Sequence, residues 1–202
     1  MKLLKNSKTR YFKSFRIKSL SIGILVVFAI ALGACSSNSS STATTNASNS
    51  IKPVADKLTI ETGKMDGKSG WPKYVPSSVT VPANTTVKLT IVSYDDGTAP
   101  LLTGMNQYVN VQGGTETVDG NPVTSVPNSN ISHTFTVPSL GLNAVIPAVP
   151  SGQNSVTVVF TFKVSKPGTY VWHCFAPCGS GSTGMEGPMA AMGWMKGSFV
   201  VS

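Results

Sequence analysis

Nine consecutive residues, Val156-Thr157-Val158-Val159-Phe160-Thr161-Phe162-Lys163-Val164, constrain the fold more than any other stretch of the chain. Successive side chains of an extended backbone point to opposite faces, so Val156, Val158, Phe160, Phe162 and Val164 share one side. Thr157, Thr161 and Lys163 take most of the other. Such a strand has one face in a core and one in water. Beyond about residue 52 the same β-branched and aromatic composition recurs in short runs punctuated by Pro, Gly and Asn. We expect strands at 58–61, 78–81, 86–93, 132–137, 155–164, 168–174 and 196–201, and no apolar stretch at a 3.6 period is long enough for a substantial helix. Short strands separated by Gly and Pro turns predict an all-β Greek-key sandwich or barrel. Residues 95–130, rich in Gly, Asn, Thr and Pro, read as a long insertion of unassigned role with a hairpin signal at Asp119-Gly120-Asn121.

The 202 residues suffice for one such domain with appendages, and the N-terminus reads as an appendage. Seven of the sixteen basic residues (Lys2, Lys5, Lys8, Arg10, Lys13, Arg16, Lys18) precede an uncharged apolar run at 22–34. That run is 13 residues long, short of the roughly 20 that span a bilayer, and reads as a signal-peptide core. Its end, Leu32-Gly33-Ala34-Cys35, resembles the bacterial lipobox, which implies cleavage before Cys35 and lipidation of that cysteine. An uncleaved anchor would equally leave the domain outside the membrane. Residues 36–50, SSNSSSTATTNASNS, bury too little apolar surface to offset their chain entropy and read as a flexible tether. The expected organisation is a signal segment at 1–34, the lipidated Cys35 with its linker at 35–51, and a folded domain at 52–202. Past the leader, nine lysines, no arginine and eight acids remain, so the formal charge of +8 leaves no basic footprint for nucleic acid.

Two histidines and three cysteines are the whole supply of strong soft-metal ligands, and Cys35 belongs to the anchor. His133 opens the run His133-Thr134-Phe135-Thr136-Val137. His173, Cys174 and Cys178 sit where Thr169-Tyr170-Val171-Trp172-His173-Cys174 enters a loop holding Met185, Met189 and Met192. Thiolate, imidazole and thioether together form the donor set that selects copper for electron transfer. A C-x3-C pair with one or two His falls short of the four-ligand pattern of structural zinc.

The segment Ile131-Ser132-His133-Thr134-Phe135-Thr136-Val137-Pro138-Ser139-Leu140-Gly141-Leu142 is similar to the one that carries the first histidine ligand in cytochrome c oxidase subunit II, a cupredoxin. Cys174-Phe175-Ala176-Pro177-Cys178-Gly179, with Met185 seven residues after Cys178, matches the spacing of that family's C-x3-C-G-x2-H-x2-M loop. The two motifs agree in order and separation over roughly residues 75–201. The resemblance implies a cupredoxin-like fold, copper as cofactor, and His133, Cys174, Cys178 and Met185 as its ligands. It further implies electron exchange with a respiratory donor or acceptor at the outer face of the cytoplasmic membrane. Ser182 stands where the family has its second histidine, so the family's binuclear centre lacks one imidazole here. A mononuclear site, Glu186 as ligand and a rearranged loop all stay open.

As the neighbour of Cys174 on an extended strand, His173 is expected to face away from the site. Met189 and Met192 rival Met185, whereas Met195 reads as core packing. Two other readings remain. Cys174 and Cys178 could pair as a disulfide in a metal-free binding module, since an exported chain meets oxidising conditions. Alternatively, the methionine-rich loop could carry Cu(I) for delivery. Gly179-Ser180-Gly181-Ser182-Thr183-Gly184 spells G-x-G-x-x-G, but no helix-forming run follows, and these glycines read as slack in the loop. No serine or cysteine nucleophile has an obvious base and orienting acid, so the chain reads as a carrier rather than an enzyme. The near-neutral mature surface predicts transient docking through small, largely apolar contacts around the loop.

Overall fold

The computed structural model describes residues 53–102 and 104–202; the expected signal segment, Cys35 and the linker lie outside them. Apart from single 3₁₀ turns, the regular elements described are strands: β1 (Val54–Glu61), β2 (Lys73–Val75), β3 (Ser78–Val81), β4 (Thr85–Ser93), β5 (Glu116–Val118), β6 (Asn121–Val123), β7 (Ile131–Val137), β8 (Leu142–Pro147), β9 (Val156–Val164), β10 (Gly168–His173) and β11 (Lys196–Val201). They form two sheets, ordered β2-β1-β4-β9-β5-β6 and β3-β11-β10-β7-β8. The chain passes repeatedly from one sheet to the other, and β1 pairs with β4, and β3 with β11, in parallel. The result is the expected all-β sandwich of two sheets. Among the described residues no helix is long and apolar enough to cross a membrane.

The alternation at 156–164 is realised in β9, whose five odd-register apolar side chains are buried while Lys163 is exposed. Its pairing with β4 runs from Thr85↔Val164 to Ser93↔Val156, which sets Leu89 opposite Phe160 and Val87 opposite Phe162. Behind them an aromatic cluster fills the space between the sheets: Phe135 lies 5.3 Å from Trp172 and 6.0 Å from Phe160 between ring centroids, and Tyr74 stands edge-on to both Phe135 and Trp172. Burying each such ring contributes about 1.5–3 kcal/mol. The cluster's rings belong to the same buried core as Cys174, Ala176 and Met189.

Strands β3 and β11 fall at their expected limits, β4, β7, β9 and β10 fall within one residue of theirs, and β1 begins four residues early. The hairpin expected around Asp119-Gly120 forms between β5 and β6, with Asp119 (φ 49°) and Gly120 (φ 82°) both left-handed as a type I′ turn requires. Part of the 95–130 insertion is therefore sheet, since β5 pairs with β9 at Thr117↔Val159. Strand β8, which the sequence does not announce, is buried on both faces and so shows no alternation to read.

Candidate metal centre

Every residue of β7 is buried, and its register against β8 jumps between Ile131 and His133. Beside it, β10 ends at His173↔Thr136, which delivers Cys174 to the flank of Thr134. Three hydrogen bonds fix that junction. The Thr134 N–H donates to Cys174 Sγ (3.4 Å), the Phe175 N–H to Thr134 Oγ1 (2.8 Å), and the Cys174 N–H to the Met195 carbonyl (2.9 Å). His133 Nδ1 then lies 3.9 Å from Cys174 Sγ, and Cys174 Sγ lies 3.4 Å from Cys178 Sγ. The imidazole and the two sulfurs offer one donor atom each, all within 4.8 Å of one another.

The loop after Cys178 is tightly folded, where slack was expected. The Gly179 N–H donates to the Gly184 carbonyl, Ser180 and Glu186 exchange a pair of backbone bonds, and the Met195 N–H reaches the Pro188 carbonyl. A Cβ on Gly179 would stand 2.3 Å from the Glu186 carbonyl oxygen and 2.6 Å from Met189 Cγ, so only glycine fits there. Turning through Gly181, Gly184 and Gly187, all at positive φ, the loop brings Met189 Sδ to 3.2 Å from Cys178 Sγ.

His133, Cys174 and Cys178 are thus brought together, and the methionine beside them is Met189, which is buried. Met185 is instead 43% exposed and lines a groove with Pro100, Leu102, Met105, Phe175 and Pro177. Met192 is exposed, and Met195 is fully buried as core packing requires. Ser182 and Glu186 are both exposed, and His173 packs against the Phe175 ring, outside the cluster. The two cysteines are unbonded, their separation being well beyond the roughly 2.05 Å of a disulfide.

One partner of the site has no counterpart in the sequence reading. Asp95 Oδ2 lies 3.0 Å from His133 Nε2, while Asp95 Oδ1 accepts the Gly97 N–H at 2.9 Å. Asp95 opens the insertion, 38 residues before His133, and no motif spacing links them. An Asp-Asp-Gly turn at the end of a strand is the only local signal.

Burial pushes His133 toward the neutral form, but the bonds to Asp95 and Cys174 outweigh it and raise its pKa to about 9. Asp95 shows the reciprocal balance: burial raises it, and the His133 bond and charge bring it below the ordinary carboxylate value. The thiols split. Burial raises Cys174, yet hydrogen bonds from Cys178 and His133, the histidine charge and the Thr134 N–H leave it well below a normal thiol. Cys178 is pushed well up by its bond to Cys174 and by burial. Opposed shifts on two neighbouring thiols, beside a histidine, suit a site that gives up protons to a soft cation. A buried sulfur pair, an imidazole nitrogen and a thioether fit copper by donor chemistry.

No protein-family model matches the chain, and no curated protein matches it. Among solved structures it is similar to auracyanin B, at 16% identity over 73% of this chain and 88% of that one, with a TM-score of 0.31. It is also similar to reduced auracyanin from the photosynthetic bacterium Roseiflexus castenholzii, at 16% identity over 74% and 97% with a TM-score of 0.35. Rusticyanin from Thiobacillus ferrooxidans matches at 13% over 73% and 77%, also with a TM-score of 0.35. Overlaps this loose bear on neither ligands nor activity, and the fold rests on the strand pairing described above.

Proposed function

We propose that the chain is a copper-binding electron-transfer protein, with His133, Cys174, Cys178 and Met189 as the residues that hold the metal. The observation that carries this reading is the convergence, beneath a fixed loop, of three nitrogen and sulfur donors within 4.8 Å, with a buried thioether 3.2 Å from one of them. Met189 takes the part that loop spacing assigned to Met185. Bound copper supplies a one-electron couple, and this donor set suits both of its oxidation states. The protein's share is to hold the donors in place: Thr134 pins one sulfur, the Gly179 turn sets Met189, and the aromatic cluster keeps that side dry.

Phe175, Pro177, Leu102 and Met185 present apolar surface next to the cysteines, which supports transient docking of a respiratory donor or acceptor. The lipobox and tether support a place at the outer face of the cytoplasmic membrane, held by a lipid on Cys35.

Metal analysis, a visible spectrum and voltammetry of the purified full chain test the proposal. We expect bound copper, an intense thiolate-to-copper band and a reversible one-electron wave, with the potential moved by Met189→Leu and not by Met185→Leu. Tight colourless Cu(I) binding without a reversible wave would point to delivery instead. A chain that takes up no copper would end the reading.

A further inference from the structure

The imidazole of His133 is wholly buried, so each of its ring nitrogens must find a partner within the protein. Nδ1 faces Cys174 Sγ at 3.9 Å, and Nε2 faces Asp95 Oδ2 at 3.0 Å. The carboxylate is itself held on several sides. Its other oxygen accepts the Gly97 N–H, its backbone carbonyl accepts the Val149 N–H at 2.9 Å, and its own N–H points to Ser93 Oγ at 3.3 Å. Gly97 leaves the room this requires, since a Cβ there would come within 3.1 Å of Asp95 Oδ1. The Asp95 side chain is only 20% exposed, and it lines a polar cleft of about 230 Å³ with Cys178, Gly179 and Ser132. A buried ion pair made only for stability would need none of this bracing.

We propose that Asp95 is a positioning residue for the metal centre: it holds His133 by Nε2, so that Nδ1 is the ring atom turned to the sulfurs and free to bind metal. This rests on the copper reading above. The physical reason is general. A ligating imidazole presents the correct lone pair only when its other nitrogen keeps its proton and has an acceptor for it, and a carboxylate acceptor makes the ring a stronger donor as well. Asp95 never touches the metal; it acts through His133.

Three full-chain variants separate this role from simple packing: Asp95→Ala removes the acceptor, Asp95→Asn keeps an acceptor without the charge, and Asp95→Glu restores the carboxylate. Copper retention against a chelator and the histidine-nitrogen coupling in pulsed EPR are read for each. We expect Asp95→Ala to retain copper 10- to 100-fold less tightly with an altered nitrogen coupling, in keeping with the loss of other outer-shell partners. Asp95→Asn should fall between, and Asp95→Glu should recover part of the loss. Unchanged retention and coupling in Asp95→Ala would overturn the assignment while leaving the copper reading intact.

A metal-free measurement decides the matter should the variants fail to fold or the wild type bind no copper. In the wild-type chain, nitrogen-15 NMR of His133 should find a slowly exchanging proton on Nε2. A bare Nε2 would overturn the proposal.

Discussion

Asp95 and Glu116 belong to the same 95–130 stretch and are both largely sheltered from water, yet the protein treats them in opposite ways. Asp95 meets an imidazole and a backbone N–H, and it stays charged with a pKa below the ordinary carboxylate value. Glu116, on β5 and 2% exposed, finds no hydrogen-bond partner for either oxygen. Burial pushes it up to about 9, against a weaker pull from the Tyr108 hydroxyl nearby. The difference lies in the donors and not in depth: a carboxylate tolerates burial as an anion only where donors replace the water it loses. Beside Cys174 and Cys178 the insertion supplies a charge to the His133 ring. At β5 it buries an acid that must stay neutral.

The largest effect should come from removing that acid. Between its unfolded value of about 4.5 and its folded value of about 9, the unfolded state releases a proton that the folded state keeps, so stability falls as pH rises through this window. At about 1.4 kcal/mol per pH unit the penalty at pH 7 comes to about 3.5 kcal/mol. We expect Glu116→Gln to raise unfolding stability by about 1–3 kcal/mol at pH 7 and by little at pH 4, measured by denaturant titration across that range. A gain independent of pH would mean that Glu116 is already ionised in the fold.

Asp95→Asn should act in the other direction and by less. The folded-state pKa of Asp95 is lowered, so its contribution is present above its ordinary value of 3.8 and is lost as pH falls through the folded value. Losing one charge-assisted bond to a buried imidazole destabilises by about 1–2 kcal/mol, and the metal-free chain at pH 7 should show it. Were both substitutions to shift stability in the same direction, the contrast between the two carboxylates would be lost.

How legible these features are in the sequence follows from the range of the interactions behind them. Strand β9 announces itself because its alternation is local, and Cys174 and Cys178 do so because both sit within one loop. His133 could be joined to them only through the order and separation of two distant motifs. The methionine is legible only as a set: Met185, Met189 and Met192 all follow Cys178 in one loop, and spacing does not tell which of them the left-handed glycines turn back onto Cys178. Strand β8 leaves no local trace, and Asp95 leaves no more than an Asp-Asp-Gly turn that does not point to His133. The first is buried on both faces, and the second depends on a contact between strand ends that only the folded sheets bring together.

The smallest effect, and the finest probe of the contrast, lies at Tyr108. Its hydroxyl is buried without a hydrogen-bond partner, beside a carboxyl group that also lacks one. Burial and the Glu116 carboxyl both push its pKa upward, so it is a neutral phenol at every ordinary pH. A hydroxyl that makes no bond contributes nothing to offset its lost hydration, and replacing it by hydrogen should leave stability within about 0.5 kcal/mol of wild type or slightly raise it. We therefore expect Tyr108→Phe to unfold at the wild-type midpoint or above it, and the pH dependence attributed to Glu116 to persist. A loss of 1 kcal/mol or more, with the Glu116 pH dependence steepened, would show that phenol and acid are bonded in solution. The β5 pocket would then hold a satisfied pair like the one at His133, and the two ends of the insertion would differ in degree only.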